Sequence, residues 1–144
     1  MSEGNRILVI DDHPLFRKGV AQLIAMAPHL QVVGEASNGE QGVAMAKELD
    51  PDMILLDLHM TGMSGIETLR RLRETRSAQE LPVIMVTAKD GSGDVVEALD
   101  LGANDYVLKG SSRQDLVHAI KRAAAGESPG SESILDRVRG SMAR

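Results

Sequence analysis

Five short apolar runs punctuate the chain, at residues 7–10, 32–33 with their flanks, 53–56, 83–86 and 106–108. Each is near-continuous rather than alternating, the pattern of a strand buried on both faces. The stretches between them carry helical spacing. Residues 14–26 set Leu15, Val20, Leu23 and Ile24 on one side. Residues 39–49 follow Asn38, a residue suited to capping, and meet Pro51 just past their end. Residues 64–74 place Ile66, Leu69 and Leu72 on a stripe, with Arg70, Arg71 and Arg73 expected to face out. A fourth helix is predicted over 94–101, stopped by Gly102, and a fifth over 113–125, stopped by Gly126.

Strand and helix thus alternate five times. That order predicts an α/β fold, a doubly wound five-stranded parallel sheet with right-handed crossovers. Ligands of such sheets bind at the carboxyl ends of the strands, near the switch in strand order. Past Gly126 the pattern lapses. Residues 127–130 read as a linker, and 131–144 carry only Ile134, Leu135, Val138 and Met142 as sizeable apolar residues. The expected division is a domain over 1–126 and a linker with a partial helix over 127–144.

Composition narrows the function more than the fold. A chain of 144 residues, 42% hydrophobic and 26% charged, suits one folded domain. Its only aromatics are Phe16 and Tyr106. No stacking platform for bases can be built from them. Sixteen basic against 21 acidic residues leave a net charge of −5, a poor balance for general nucleic-acid binding. With no Cys, disulfides, thiolate zinc sites and thiol nucleophiles are excluded. No apolar run approaches membrane-spanning length and the first five residues are polar, so a cytoplasmic location without membrane association is expected.

The chemistry lies at the run ends. The first run ends in Asp11 and Asp12, the third in Asp57, the fourth in Thr87 and the fifth in Lys109. Parallel packing gathers all of them at one sheet edge. Crowded carboxylates repel unless a cation joins them, and hard oxygen ligands with room for water suit Mg2+. A hydroxyl and an ammonium beside such an ion make a place for a tetrahedral oxyanion such as a phosphoryl group. A carboxylate there can act as the nucleophile and form an acyl phosphate. Taken singly, each residue reads as a turn, a cap or a surface charge. Their convergence is the signal. The histidines at 13, 29, 59 and 118 lack metal-site spacing, and His13 reads as a loop residue beside the acidic pair rather than a ligand. The eight Met residues read as gap-fillers. Gly62 and Gly65 read as turn residues and not a phosphate cradle.

The segments Ile7-Leu8-Val9-Ile10-Asp11-Asp12-His13-Pro14, Ile54-Leu55-Leu56-Asp57-Leu58-His59-Met60, Val86-Thr87-Ala88 and Gly102-Ala103-Asn104-Asp105-Tyr106-Val107-Leu108-Lys109 carry a resemblance. Over residues 5–126 the chain resembles the receiver domain of bacterial two-component response regulators. Asp-Asp-His-Pro, with Val33-Gly34-Glu35-Ala36-Ser37-Asn38-Gly39, is most similar to the NarL/FixJ (LuxR-type) group and its nitrate/nitrite-responsive members.

The resemblance implies a flavodoxin-like receiver fold with strand order 2-1-3-4-5. It implies that Asp57 is the phosphoacceptor for a sensor histidine kinase. Asp12 would bind Mg2+ directly, Asp11 chiefly through water, and the His59 backbone carbonyl would join Asp57 in completing the ligands; Mn2+ would substitute. Lys109 would pair with phosphoryl oxygens, Thr87 and Tyr106 would form the switch, and small Ala88 would leave space beside the acceptor. His59 and Lys89 would sit at the rim and tune phosphoryl lifetime. The output surface would be the fourth helix, fifth strand and fifth helix. A homodimer would use that surface or the faces of the first and fifth helices. Relatives in the group bind DNA through a C-terminal helix-turn-helix domain, and this chain stops where that domain would begin. It therefore reads as a NarL-type transcriptional regulator without its DNA-binding domain. The alternative is a stand-alone phosphorelay receiver or a phosphorylation-independent interaction module. Such a receiver dephosphorylates itself slowly and is not a turnover enzyme.

Two departures stand out. Thr61 replaces a usual Pro, which leaves that loop free of a fixed φ and expected to be looser. Gly110 replaces a Pro that commonly follows the Lys in a cis bond, so a trans bond is expected. Other classes fit less well. A haloacid-dehalogenase-like phosphatase needs a second Asp where His59 stands. An FMN carrier would want a Ser/Thr-rich phosphate loop after the first strand, and flanking aromatics.

Overall fold

The computed structural model describes residues 5–88 and 93–126. Strand β1 spans Asn5–Ile10, followed by α1 (Pro14–Ala25), β2 (Leu30–Ala36), α2 (Gly39–Leu49) and β3 (Met53–Asp57). Then come α3 (Gly65–Arg73), β4 (Val83–Thr87), α4 (Gly93–Asp100), β5 (Asp105–Leu108) and α5 (Arg113–Ala124). The strands form one parallel sheet in the order β2-β1-β3-β4-β5. All ten elements fall where the hydrophobic pattern puts them. The segment 127–144 lies outside the described residues.

The sheet is buried on both faces, as its near-continuous apolar strands require. One face carries Leu8, Ile10, Ile54, Leu56, Val83 and Met85 against Ala46 of α2, Leu69 and Leu72 of α3, and Val95 and Leu99 of α4. The other carries Ile7, Val9, Met53, Leu55, Ile84 and Val86 against Val20 and Ile24 of α1, and Leu116 and Ile120 of α5. Fully burying one such side chain stabilises by ~1.5–3 kcal/mol. The aliphatic core thus offsets the near lack of aromatics.

Local signals end the helices. The side chains of Asn38, Ser64 and Ser112 accept from the backbone N–H three residues on, capping α2, α3 and α5. Gly102 and Gly126 take positive φ (106° and 77°) just past α4 and α5, the conformation that favours glycine after a helix.

One expectation is corrected. Arg73 does not face out with Arg70 and Arg71. Its guanidinium turns inward and donates to the carbonyls of Gly102 (2.9 Å) and Leu81 (2.9 Å) and to Asn104 Oδ1 (3.1 Å). The α3 end meets the approach to β5 here, and only this packing supplies carbonyls for the fork to bind. Burial lowers its pKa to about 10, so it stays charged at neutral pH.

Candidate functional site

The sheet ladder runs through the functional positions and fixes them. The Asp11 N–H donates to Ala36 O (3.0 Å), Leu58 N–H to Val86 O (2.8 Å) and Lys109 N–H to Thr87 O (2.8 Å). Asp11, Asp12, Asp57, Thr87 and Lys109 therefore converge at the carboxyl ends of β1, β3, β4 and β5. Asp11 is 1% exposed, Asp57 2% and Thr87 fully buried. Ala88 is exposed just beyond Thr87. Tyr106 is half-buried on β5, in register with Met85 and packed against the α2–α4 side of the core. Lys89 lies outside the described residues.

The carboxylates crowd one another. Lys109 Nζ lies 3.0 Å from Asp11 Oδ2 and 3.5 Å from Asp57 Oδ2. Its ammonium also sits over the Phe16 ring, 4.7 Å from the centroid. Phe16 thus helps to hold the site's cation, a role that helix periodicity alone does not reveal. Burial, and next the neighbouring Asp11 charge, raise the Asp57 pKa to about 6. Lys109 pulls it down, but less. Buried Oδ1 of Asp12 and Oδ2 of Asp57 accept no hydrogen bond. Buried anionic oxygens without donors call for a cation, so the donor set fits a hard divalent ion. Asp11, Asp12, His13 and Asp57 can each offer one ligand atom, all within 4.8 Å of one another.

The loop after β3 closes around this pocket. The His59 N–H donates to Asp57 Oδ1 (3.3 Å). Its ring is exposed, with Nε2 3.8 Å from Asp94 Oδ2 on α4. Thr61 ties this loop to β1. Its N–H donates to Asp12 Oδ2 (2.9 Å), a bond that Pro at this position could not make. This bond is the foremost cause holding the Asp12 pKa below its ordinary value. Gly62 turns the loop at φ 81°. Gly65 is more than a turn residue: a Cβ there would fall among Asp57 O, Leu58 Cα and Leu58 O. The loop can return beside the acceptor strand only without a side chain. Among the described residues no peptide bond is cis, so Lys109–Gly110 is trans as expected.

His13 does not stop beside the acidic pair; its ring lies inside it. Nδ1 lies 3.0 Å from Asp11 Oδ1 and 3.1 Å from Asp12 Oδ1. Asp105 carries no site signal in the sequence. It is buried at the start of β5 and paired with Arg122 Nη2 of α5 at 2.9 Å. No sequence signal pairs two residues on separate elements.

Comparison with known proteins places the chain among relatives. The model of the response regulator receiver domain matches residues 7–121. The nitrate/nitrite response regulator NarL of Escherichia coli (strain K12) is 52% identical over 136 residues, 94% of this chain and 62% of that protein. NarP of the same strain is 42% identical over 134 residues, 93% of this chain and 61% of that protein. The chain therefore spans about three-fifths of the length of these relatives. A solved LuxR-family two-component response regulator from Aurantimonas sp. SI85-9A1 superimposes with a TM-score of 0.85 at 32% identity, covering 98% of this chain and 99% of that one.

Proposed function

This chain belongs to the response regulator receiver domain family, and from that premise we propose that it takes a phosphoryl group onto Asp57 from a sensor histidine kinase, with a divalent ion. The observation that carries this reading is Asp57 itself. It is buried, its Oδ2 accepts no hydrogen bond, and it shares the Lys109 ammonium with Asp11 at the carboxyl edge of the sheet. An Asp57 oxygen attacks phosphorus, the P–N bond to the donor imidazole breaks, and the imidazole leaves with its electron pair. Asp11, Asp12, Asp57 and the His59 carbonyl would hold Mg2+, which when bound offsets the charge gathering on the phosphoryl oxygens. Lys109 pairs with one of those oxygens and Thr87 donates its hydroxyl to another. Tyr106 follows Thr87 inward, and this pair biases a two-state surface on α4, β5 and α5. Ala88 leaves room for the group, and the resemblance assigns the tuning of its lifetime to His59 and Lys89. Slow self-hydrolysis resets the state, so the domain signals rather than turns over substrate.

The domain proper is 1–126, with 127–144 as a linker segment. No described helix is long and apolar enough to cross a membrane, and the proposed location is the cytoplasm. Leu15 and Met26, exposed apolar residues on and just past α1, favour a dimer through the α1 and α5 faces.

The test is intact-mass spectrometry after incubation with acetyl phosphate, with and without Mg2+, beside Asp57→Asn. One added phosphoryl group that needs both the ion and Asp57 is the expected result. A gain that persists in Asp57→Asn assigns the acceptor elsewhere. No gain from acetyl phosphate or from a phosphorylated kinase defeats the proposal.

A further inference from the structure

His13 stands at the N-cap of α1, yet its side chain makes no cap hydrogen bond. The ring turns instead into the acidic cluster. Its Nδ1 lies 3.0 Å from Asp11 Oδ1, 3.1 Å from Asp12 Oδ1 and 3.6 Å from Asp57 Oδ2. Adjacent donors on an octahedral ion, each ~2.1 Å from it, stand about 3.0 Å apart. Nδ1 keeps that spacing from two of the carboxylates.

Lys109 Nζ also lies 2.9 Å from Nδ1. With an ion among these carboxylates, the imidazole with its ring proton on Nε2 would turn the Nδ1 lone pair to the cation. The cluster carries an independent sign of a cation site: Asp57, 2% exposed, aims an Oδ2 with no hydrogen-bond partner into it.

We propose that His13 supplies an imidazole nitrogen to the ion held by Asp11, Asp12 and Asp57. The site is then a mixed nitrogen–oxygen centre that prefers first-row transition ions such as Mn2+, Co2+ or Ni2+ to Mg2+. The inference rests on the reading of this cluster as a metal site. Mg2+ favours oxygen donors and gains little from an imidazole, whereas the transition ions bind imidazole increasingly well along the series from Mn2+ to Ni2+. The His13 side chain is 61% exposed, so it can adjust to an ion without disturbing the core. Ligation also takes Nδ1 away from Lys109 and frees that ammonium for an anionic ligand.

The experiment loads the whole chain with Mn2+ and records pulsed electron paramagnetic resonance for the coupling of a directly bound nitrogen. The wild type is expected to show it, and His13→Phe and His13→Gln to lose it. In competition titrations the Mn2+ affinity of both variants falls roughly tenfold while Mg2+ affinity holds. Circular dichroism confirms that each variant folds. Mn2+ binding without nitrogen coupling in the wild type overturns the role of His13 and leaves the metal site standing. Loss of the coupling in His59→Asn rather than in the His13 variants also overturns it. Binding of neither ion, or binding unchanged in the double variant Asp12→Asn/Asp57→Asn, overturns the metal site and this inference together.

Discussion

Asp57 burdens the fold before it serves it. Its pKa is raised from 3.8 to about 6 by burial and by Asp11. The folded state therefore holds the proton more tightly than the unfolded chain. The resulting penalty grows as pH rises through that window and is complete above about pH 6, where it reaches about 3 kcal/mol. Asp57→Asn removes the penalty. In the absence of divalent ions, urea denaturation is expected to show the variant more stable by up to that amount at pH 7.5. The gain shrinks to about half at pH 5. A variant no more stable than wild type at pH 7.5 contradicts the account. Thr61 gives a second prediction at this scale. Thr61→Pro removes the N–H that Asp12 accepts, so the Asp12 pKa rises toward its ordinary value. Thr61→Ala keeps the N–H, the largest cause, and loses only the lesser contribution of the Thr61 side chain, so the Asp12 pKa rises less. Carbon NMR titration of the Asp12 carboxyl separates the two.

Elements meet through a few buried charges. Arg73 at the end of α3 binds the carbonyls of Leu81 and Gly102, and Asn104 in turn accepts from the Val83 N–H (3.0 Å) and donates to Ala78 O (3.1 Å). This knot sets where β4 and β5 begin, and so where Thr87 and Lys109 end. Removing the fork leaves partly buried carbonyls without a donor. Arg73→Ala is expected to cost about 3 kcal/mol in urea denaturation, and Arg73→Lys most of that, because an ammonium cannot reproduce the fork. A loss under about 1 kcal/mol would mean that water replaces the guanidinium. Arg122 plays a similar part on the other face, pairing α5 with buried Asp105 of β5.

At the scale of the molecule, a change of charge at one edge has to reach a distant surface. The phosphorylated chain is expected to sediment as a dimer and the unmodified chain as a monomer. Met26→Glu places a charge on the exposed apolar patch beside α1 and should hold the phosphorylated chain monomeric. Dimers that survive this change place the contact on α4, β5 and α5. Equal sedimentation of both forms removes dimerisation from the mechanism.

The sequence by itself determined the alternation of elements, because each apolar run is long enough to demand burial on both faces and most helices carry a cap or a stop of their own. It also determined which residues end the strands, because parallel pairing sends every strand end to one edge. Asp11, Asp12, Asp57, Thr87 and Lys109 were legible for that reason. Tertiary structure alone decided the rest. Arg73 sits on a polar face by periodicity, but α3 meets the β4–β5 approach there and turns the fork inward. Thr61 removes a conformational restraint, yet its N–H meets a carboxylate from 49 residues away. His13 has no partner at metal-site spacing, and its ring nevertheless enters the cluster. Spacing along a chain governs local geometry; a contact across elements depends on where two independent segments are packed, and no periodicity records that.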